Sequence, residues 1–262
     1  MNARKFIFAY LSRRSFATTD QSEVQFFNKF SSEWWDETGP LKPLHSFNKL
    51  RIPFIREGLI QNGSIDKNYI NTSTILTGLK IIDVGCGGGI LSEPLAKLGA
   101  KVTGLDMTDE ALKVAKHHAK INNVHNVAYL KSSIEDYAIE NEEKYDAVVA
   151  SEVIEHVENK EEFIQACVKC IKPGGAIFIT TISKTLVAEI FAIGVAEYIG
   201  VVPKGTHEID KFIQPHDLQR ILEKYGCQTK LIHGLRYSLL RNSWSWTTNT
   251  SINYGLYASK FM

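Results

Sequence analysis

Short apolar runs alternating with amphipathic stretches from Leu79 onward predict an α/β fold. The expected architecture is a doubly wound, mostly parallel sheet of Rossmann-like type, with an N-terminal helical extension. Three observations carry this. Runs at 80–84, 101–105, 126–130, 145–150 and 176–181 have the length and apolar content of buried strands. Stretches at 90–98, 109–121 and 160–171 repeat their apolar residues at helical spacing. A glycine-rich turn at 85–89 joins the first strand to the first helix. Alternation at this spacing builds βαβ units and a parallel sheet covered on both faces.

Local signals mark the boundaries. Gly99 follows the helix at 90–98 as a C-terminal cap. Pro173-Gly174-Gly175 stops the helix at 160–171. Segments 229–233 and 253–258 read as further strands, the last running antiparallel at the sheet's edge. Upstream, Phe26, Phe27, Phe30, Trp34 and Trp35 sit at helical spacing within 24–35. Gly39, Pro40 and Pro43 break that helix, and helical character resumes at 48–61. Residues 20–79 are thus expected as a helical extension packed on a main domain at 80–262.

The first nineteen residues carry Arg4, Lys5, Arg13 and Arg14 with several hydroxyl side chains and no acid; Asp20 is the first. That is the composition of a mitochondrial transit peptide, the alternative being a basic tail. The net charge of +1 over 262 residues gives no support for bulk binding to nucleic acid. Four cysteines, Cys86, Cys167, Cys170 and Cys227, are too few for a disulfide framework at this length. Cys167 and Cys170 read as core residues of one helix. No run of about 20 apolar residues is present to span a bilayer. Residues 186–202 (LVAEIFAIGVAEYIGVV) are interrupted by Glu189 and Glu197. They read either as a buried helix or as an amphipathic element touching a membrane, within a possible membrane-contact insertion at 186–210.

The chemistry concentrates in Asp83-Val-Gly85-Cys-Gly87-Gly-Gly89. In an open parallel sheet, ligands bind at the carboxyl ends of strands, and glycines there admit close backbone approach. A dinucleotide fingerprint asks for a glycine at position 90, where this chain has Ile90. The next strand ends in Asp106, one βαβ step on, where a carboxylate can accept from both ribose hydroxyls of an adenosyl group. Taken alone, Asp106 would be an ordinary helix cap; with the loop and Asp83 it reads as a ligand contact. Beyond the strand at 145–150, Glu152, Glu155 and His156 would share one face if helical, at i, i+3 and i+4. Two carboxylates and an imidazole suit Mg²⁺, and the imidazole equally admits Mn²⁺ or Zn²⁺. Spacing alone favours a plainer role as acids of a first helical turn.

Asp83, the glycine loop, Asp106 and Lys172-Pro-Gly-Gly175 resemble the class I S-adenosylmethionine methyltransferases. The resemblance narrows through Phe30-Ser-Ser-Glu-Trp-Trp-Asp36, Lys42-Pro-Leu-His45, Asn48-Lys-Leu-Arg51, residues 83–91 and 151–157, and Pro203-Lys-Gly-Thr-His207. Together these look like the ubiquinone-biosynthesis O-methyltransferases, mitochondrial branch, from about Phe26 to the C-terminus. The resemblance implies methyl transfer from S-adenosylmethionine to a catechol-type hydroxyl of polyprenyl dihydroxybenzoate and demethylubiquinol. It implies cofactor contacts at Arg51, Gly85, Asp106 and Ser151, the last through backbone, since bacterial relatives carry methionine there. A divalent ion, magnesium first, would fall on Glu152, Glu155 and His156. It further implies a polyprenylated aromatic substrate and other ubiquinone-biosynthesis enzymes as partners, with no nucleic acid. The implied location is peripheral, on the matrix side of the mitochondrial inner membrane. No general base is assigned; His45 and His207 are candidates. A soluble methyltransferase for another small molecule or protein, and a catalytically silent member of a biosynthetic complex, are the alternatives.

Overall fold

The computed structural model describes residues 34–182 and 212–262. The expected transit peptide at 1–19, most of the expected helix at 24–35, the expected membrane-contact insertion at 186–210 and His207 lie outside the described residues. The chain forms α1 (Lys42–Gln61), β1 (Lys80–Val84), α2 (Ser92–Lys97), β2 (Lys101–Asp106), α3 (Asp109–Ile121) and β3 (Val127–Lys131). It continues through α4 (Ile134–Glu140), β4 (Tyr145–Ser151), α5 (Lys160–Cys170) and β5 (Ile171–Ile182). Beyond the undescribed stretch come α6 (Pro215–Lys224), β6 (Cys227–Ser238), β7 (Ser243–Thr247) and β8 (Asn253–Lys260).

One eight-stranded sheet runs β3-β2-β1-β4-β5-β8-β6-β7. The first five strands are parallel, and β8 is antiparallel to both β5 and β6. The sequence places the last strand at the edge; instead β8 lies inside the sheet and β7 forms the edge. β8's residues from Asn253 to Ala258 are all buried, so it needs a neighbour on each side. Pro43 begins α1 rather than interrupting a helix, because its fixed φ and missing N–H suit a first turn. Lys172-Pro-Gly-Gly175 bulges between the pairs Tyr145–Ile171 and Ala147–Ala176. There the proline's missing donor costs no ladder bond.

The pleat sorts side chains to two cores. Ile81, Val102, Ala147, Val149 and Phe178 face one layer, with Phe54, Ile55 and Leu59 of α1 and Leu95 of α2. Ile82, Val84, Leu105, Val148, Ala150 and Ile179 face the other, with Phe163, Ile164 and Leu218 from α5 and α6. Burial on both faces explains why the parallel strands read as continuous apolar runs. Cys167 and Cys170 are free and buried in the second core, and burial drives the Cys167 thiol well up.

Gly58 fixes how α1 meets the sheet. A Cβ there would lie 2.8 Å from Cζ of Phe178. That ring is itself held by Tyr257, stacked at 5.0 Å, and by Phe54 at 5.6 Å. In an exposed helix, glycine to alanine stabilises by roughly 0.5–1 kcal/mol. Here Gly58→Ala is expected to destabilise by about 1–3 kcal/mol through overpacking, read as a lower urea midpoint with unchanged slope.

Candidate active site

Strand order changes direction at β1, with β2 on one side and β4 on the other. The crevice above their carboxyl ends is where open α/β sheets hold ligands. Gly85, Gly87 and Gly89 take φ of 67°, 51° and 86°, conformations that side chains with a Cβ adopt at a cost. The space of each missing Cβ is filled by protein: Val153 at Gly85, Trp34 at Gly87 and at Gly88, Tyr129 at Gly89. The glycines therefore serve close packing of the loop as much as approach of a ligand.

Asp106, at the end of β2, closes over this loop. Its Oδ2 accepts from Gly87 N–H at 2.8 Å and its Oδ1 from Thr108 N–H at 2.7 Å. Burial pushes its carboxyl up, and those bonds pull it back. Each oxygen keeps a second lone pair, so two ribose hydroxyls can still be accepted. The carboxylate, the loop and the crevice together fit an adenosyl group.

Residue parity explains the polar cluster beside it. Asp83 shares the face of Ile81, Ser151 that of Val149, and Thr180 that of Phe178, all toward α1 and α2. Arg51 of α1 is 4% exposed. Its Nη1 donates to Ser151 Oγ at 3.0 Å and its Nε to Asn48 Oδ1 at 2.6 Å. Ser151 Oγ lies 2.7 Å from Thr180 Oγ1. Ser92 Oγ donates to Asp83 Oδ2 at 2.5 Å. Burial pushes Arg51 down to about 10 against the pull of Asp83 and Glu152. Burial likewise pushes Asp83 up to about 6, with Ser92 and Arg51 opposing and Asp106 adding to it. Arg51 and Ser151 are thus joined directly, through side chains. Gly85 and Asp106 border the same crevice.

Glu152, Glu155 and His156 do not lie on one helix face. Glu152 takes a positive φ of 58°, and only Ile154–His156 form a single 3-10 turn. Glu155 turns under the sheet, where Thr181 Oγ1 donates to its Oε2 at 2.8 Å. Thr181 alternates with Thr180, so Glu155 belongs to the face opposite Arg51 and Ser151. Burial and the Glu155 carboxylate hold Glu152 above the usual carboxylate range, while Thr180, Arg51 and His156 draw it back. The donor chemistry suits a hard divalent ion, but as placed the three do not fit one. Among the described residues no three such side chains are grouped to hold a metal.

Trp35 ties the N-terminal extension to this loop and to His118 and Glu93, two residues that sequence reasoning missed. Trp35 Nε1 donates to Gly88 O at 2.9 Å. Its ring stacks on His118 of α3 at 3.4 Å and 5°. His118 Nδ1 lies 2.7 Å from Oε1 of fully buried Glu93. His45 Nε2 donates to Trp34 O at 2.8 Å, which places this candidate base in a structural bond.

Asp106→Ala removes the carboxylate expected to accept from ribose hydroxyls. Hydrogen bonds to an ionised group contribute about 1.5–3 kcal/mol, so affinity for S-adenosylmethionine should fall roughly 10- to 100-fold. Titration calorimetry reads this, and an affinity within threefold of the parent would remove Asp106 from the site. Asp83 offers a second check. Its folded value lies above its unfolded value of 3.8, so folding takes up a proton. That contribution is fully present below about pH 4 and is lost as pH rises through about 6. Asp83→Asn abolishes the titration. Relative to the variant, the parent should lose up to about 3 kcal/mol of unfolding free energy between pH 4 and pH 7. Parallel curves from denaturant melts would contradict it.

The chain is similar to known proteins in sequence and fold. A family model described as a methyltransferase domain matches residues 82–179. The mitochondrial ubiquinone biosynthesis O-methyltransferase of Rattus norvegicus is 46% identical over 92% of this chain and 70% of its own length. The ubiquinone biosynthesis O-methyltransferase of Pelagibacter ubique is 39% identical over 90% of this chain and 95% of its own. The chain spans 65% to 70% of the mammalian relatives it matches. In fold it resembles the magnesium protoporphyrin IX methyltransferase of Synechocystis, solved with S-adenosylhomocysteine. That likeness has a TM-score of 0.61 at 20% identity, over 92% of this chain and 100% of the other. With a methyltransferase domain and relatives 39% and 46% identical over 90% or more of this chain, the chain belongs to the ubiquinone biosynthesis O-methyltransferase family of S-adenosylmethionine-dependent enzymes.

Proposed function

We propose that this chain methylates a catechol-type hydroxyl of polyprenylated ubiquinone precursors, both polyprenyl dihydroxybenzoate and demethylubiquinol. The observation that carries the reading is identity of 38–46% over 90% or more of the chain to enzymes of that name. The site's chemistry supports it. Asp106 would hold the ribose, Gly85 would let the loop approach the amino-acid part, and Arg51 with Ser151 would take its carboxylate. Trp34, 6% exposed over Gly87 and Gly88, excludes water from the loop. Transfer is then an in-line displacement, oxygen to methyl carbon, with the thioether leaving and the hydroxyl proton released.

A phenolic hydroxyl ionises near pH 10, about the value for tyrosine, so it is a poor nucleophile at neutral pH. A bound divalent ion, magnesium first, would lower that value and orient the oxygen. Glu152, Glu155 and His156 are proposed to hold it after the 152–156 turn rearranges, since as placed they do not converge. His207, outside the described residues, is the candidate base left once His45 is engaged.

The names of the relatives support a mitochondrial location. A polyprenyl tail would keep substrate in the bilayer, so peripheral contact with the matrix side of the inner membrane follows, with residues 186–202 as one contact. No helix among the described residues is long and apolar enough to cross a membrane. Other enzymes of the pathway are proposed as partners in a complex.

The test is turnover with a short-chain polyprenyl catechol and labelled S-adenosylmethionine, with and without chelator. Methyl transfer to the ring hydroxyl, falling tenfold or more with chelator, is the expected result. Normal cofactor binding without transfer to any polyprenyl catechol would contradict the substrate reading. Full turnover in chelator would remove the metal.

A further inference from the structure

The β6–β7 hairpin ends in the turn 239–242, Leu-Leu-Arg-Asn. Leu239 is 63% exposed and Leu240 fully so. Elsewhere among the described residues, exposed large apolar side chains are single, Ile121, Leu130 and Ile139, or lie at the chain end, Phe261 and Met262. Paired exposed leucines at a tip therefore stand apart. The turn is also held firmly. Tyr237 Oη donates to Asn242 Oδ1 at 2.8 Å, and the Tyr237 ring leans on Trp244 at 4.9 Å. Trp244 Nε1 donates to Pro43 O at 2.9 Å, and its ring stacks on Phe47 at 4.5 Å. The leucines are presented by a braced scaffold.

Register places this tip on the active-site edge. Ile182, the last residue of β5, pairs with Asn253, and Asn253 pairs with Leu235. β6 continues three residues past Leu235, to Ser238, so the turn overhangs the edge where the parallel strands β1, β4 and β5 end. The C-terminal segment that carries the turn has charge of one sign. Residues 224–262 contain five Lys or Arg and no Asp or Glu. Lys224 and Lys260 pair with Glu161 and Glu143. Arg236 and Arg241, flanking the leucines, are exposed.

We propose that the 239–242 turn inserts into an anionic phospholipid bilayer. Leu239 and Leu240 enter the acyl boundary, and Arg236 and Arg241 meet phosphate headgroups, so the carboxyl edge of the sheet faces the membrane. A site so oriented receives a lipid-tailed ring without full extraction from the bilayer, a benefit that rests on the proposed substrate. Vesicle binding itself does not depend on that reading.

The full chain is tested by vesicle sedimentation on phosphatidylcholine alone and with phosphatidylglycerol added. The parent should bind the anionic vesicles more tightly, and Leu239→Ser with Leu240→Ser should weaken that binding at least tenfold. Arg236→Gln with Arg241→Gln should remove most of the preference for anionic lipid. A fluorophore on Leu240→Cys should shift to the blue on anionic vesicles. The four native cysteines are buried, so labelling stays at the tip. S-adenosylmethionine affinity should be unchanged in every variant, which separates loss of lipid contact from misfolding. Unchanged vesicle binding in the leucine variant, or no spectral shift at position 240, would overturn the proposal. So would a parent dimer that the leucine variant makes monomeric, since a second copy would then own the surface. If vesicle binding behaves as expected and turnover on polyprenyl catechols is absent, the substrate reading falls alone.

Discussion

Between β1 and α2 the chain reverses within a few residues, and at Gly85, Gly87 and Gly89 it does so through positive φ. Each of these positions has a side chain of another element where its own Cβ would stand. A non-glycine residue would meet both a backbone cost of roughly 1–2 kcal/mol and a steric clash. The loop's backbone is then spent on the site. Gly87 N–H goes to Asp106, Gly88 C=O takes the Trp35 indole, and Cys86 N–H reaches Leu105 O across to β2. Tightness of this turn is what lets one carboxylate at the end of β2 sit beside the end of β1.

A buried polar cluster under the loop depends on the same register. Arg51, Asp83, Ser92, Ser151 and Thr180 come from five elements and meet because strand parity sends them to one face. Burying charge is costly unless it is paired and hydrogen-bonded. Here the Arg51 guanidinium donates to Asn48 and Ser151 with the Asp83 and Glu152 charges nearby, and burial still moves Arg51 and Asp83 toward their neutral forms.

Much of the architecture was legible because both faces of the parallel strands are buried. Ile81, Ile82 and Val84 announce β1 without tertiary information, and Asp106 announces the ligand edge through its spacing from the loop. What failed did so for physical reasons. Ser243–Thr247 alternates serine and tryptophan, yet it lacks the aliphatic run by which the other strands were found. Glu152, Glu155 and His156 have helical spacing, but the positive φ at Glu152 breaks the helix before it starts, and Thr181 draws Glu155 to the other face. Arg51 entered only through family resemblance, because an arginine in an amphipathic helix reads as solvated until the opposing sheet is known. Trp35, His118 and Glu93 are far apart in sequence, and a stack on a histidine leaves no periodic signal.

The N-terminal segment gains a role from this geometry. Trp34 covers the glycine loop and Trp35 latches it, while α1 supplies Arg51 from below. The extension therefore packs directly on the glycine loop rather than standing apart from it. A crystal structure of the chain with S-adenosylhomocysteine tests this most directly. Ribose hydroxyls on Asp106, with the amino-acid part between the Gly85 loop and the Arg51–Ser151 pair, is the result expected. Ribose bound away from Asp106, or an amino-acid part that touches neither Arg51 nor Ser151, would contradict the account.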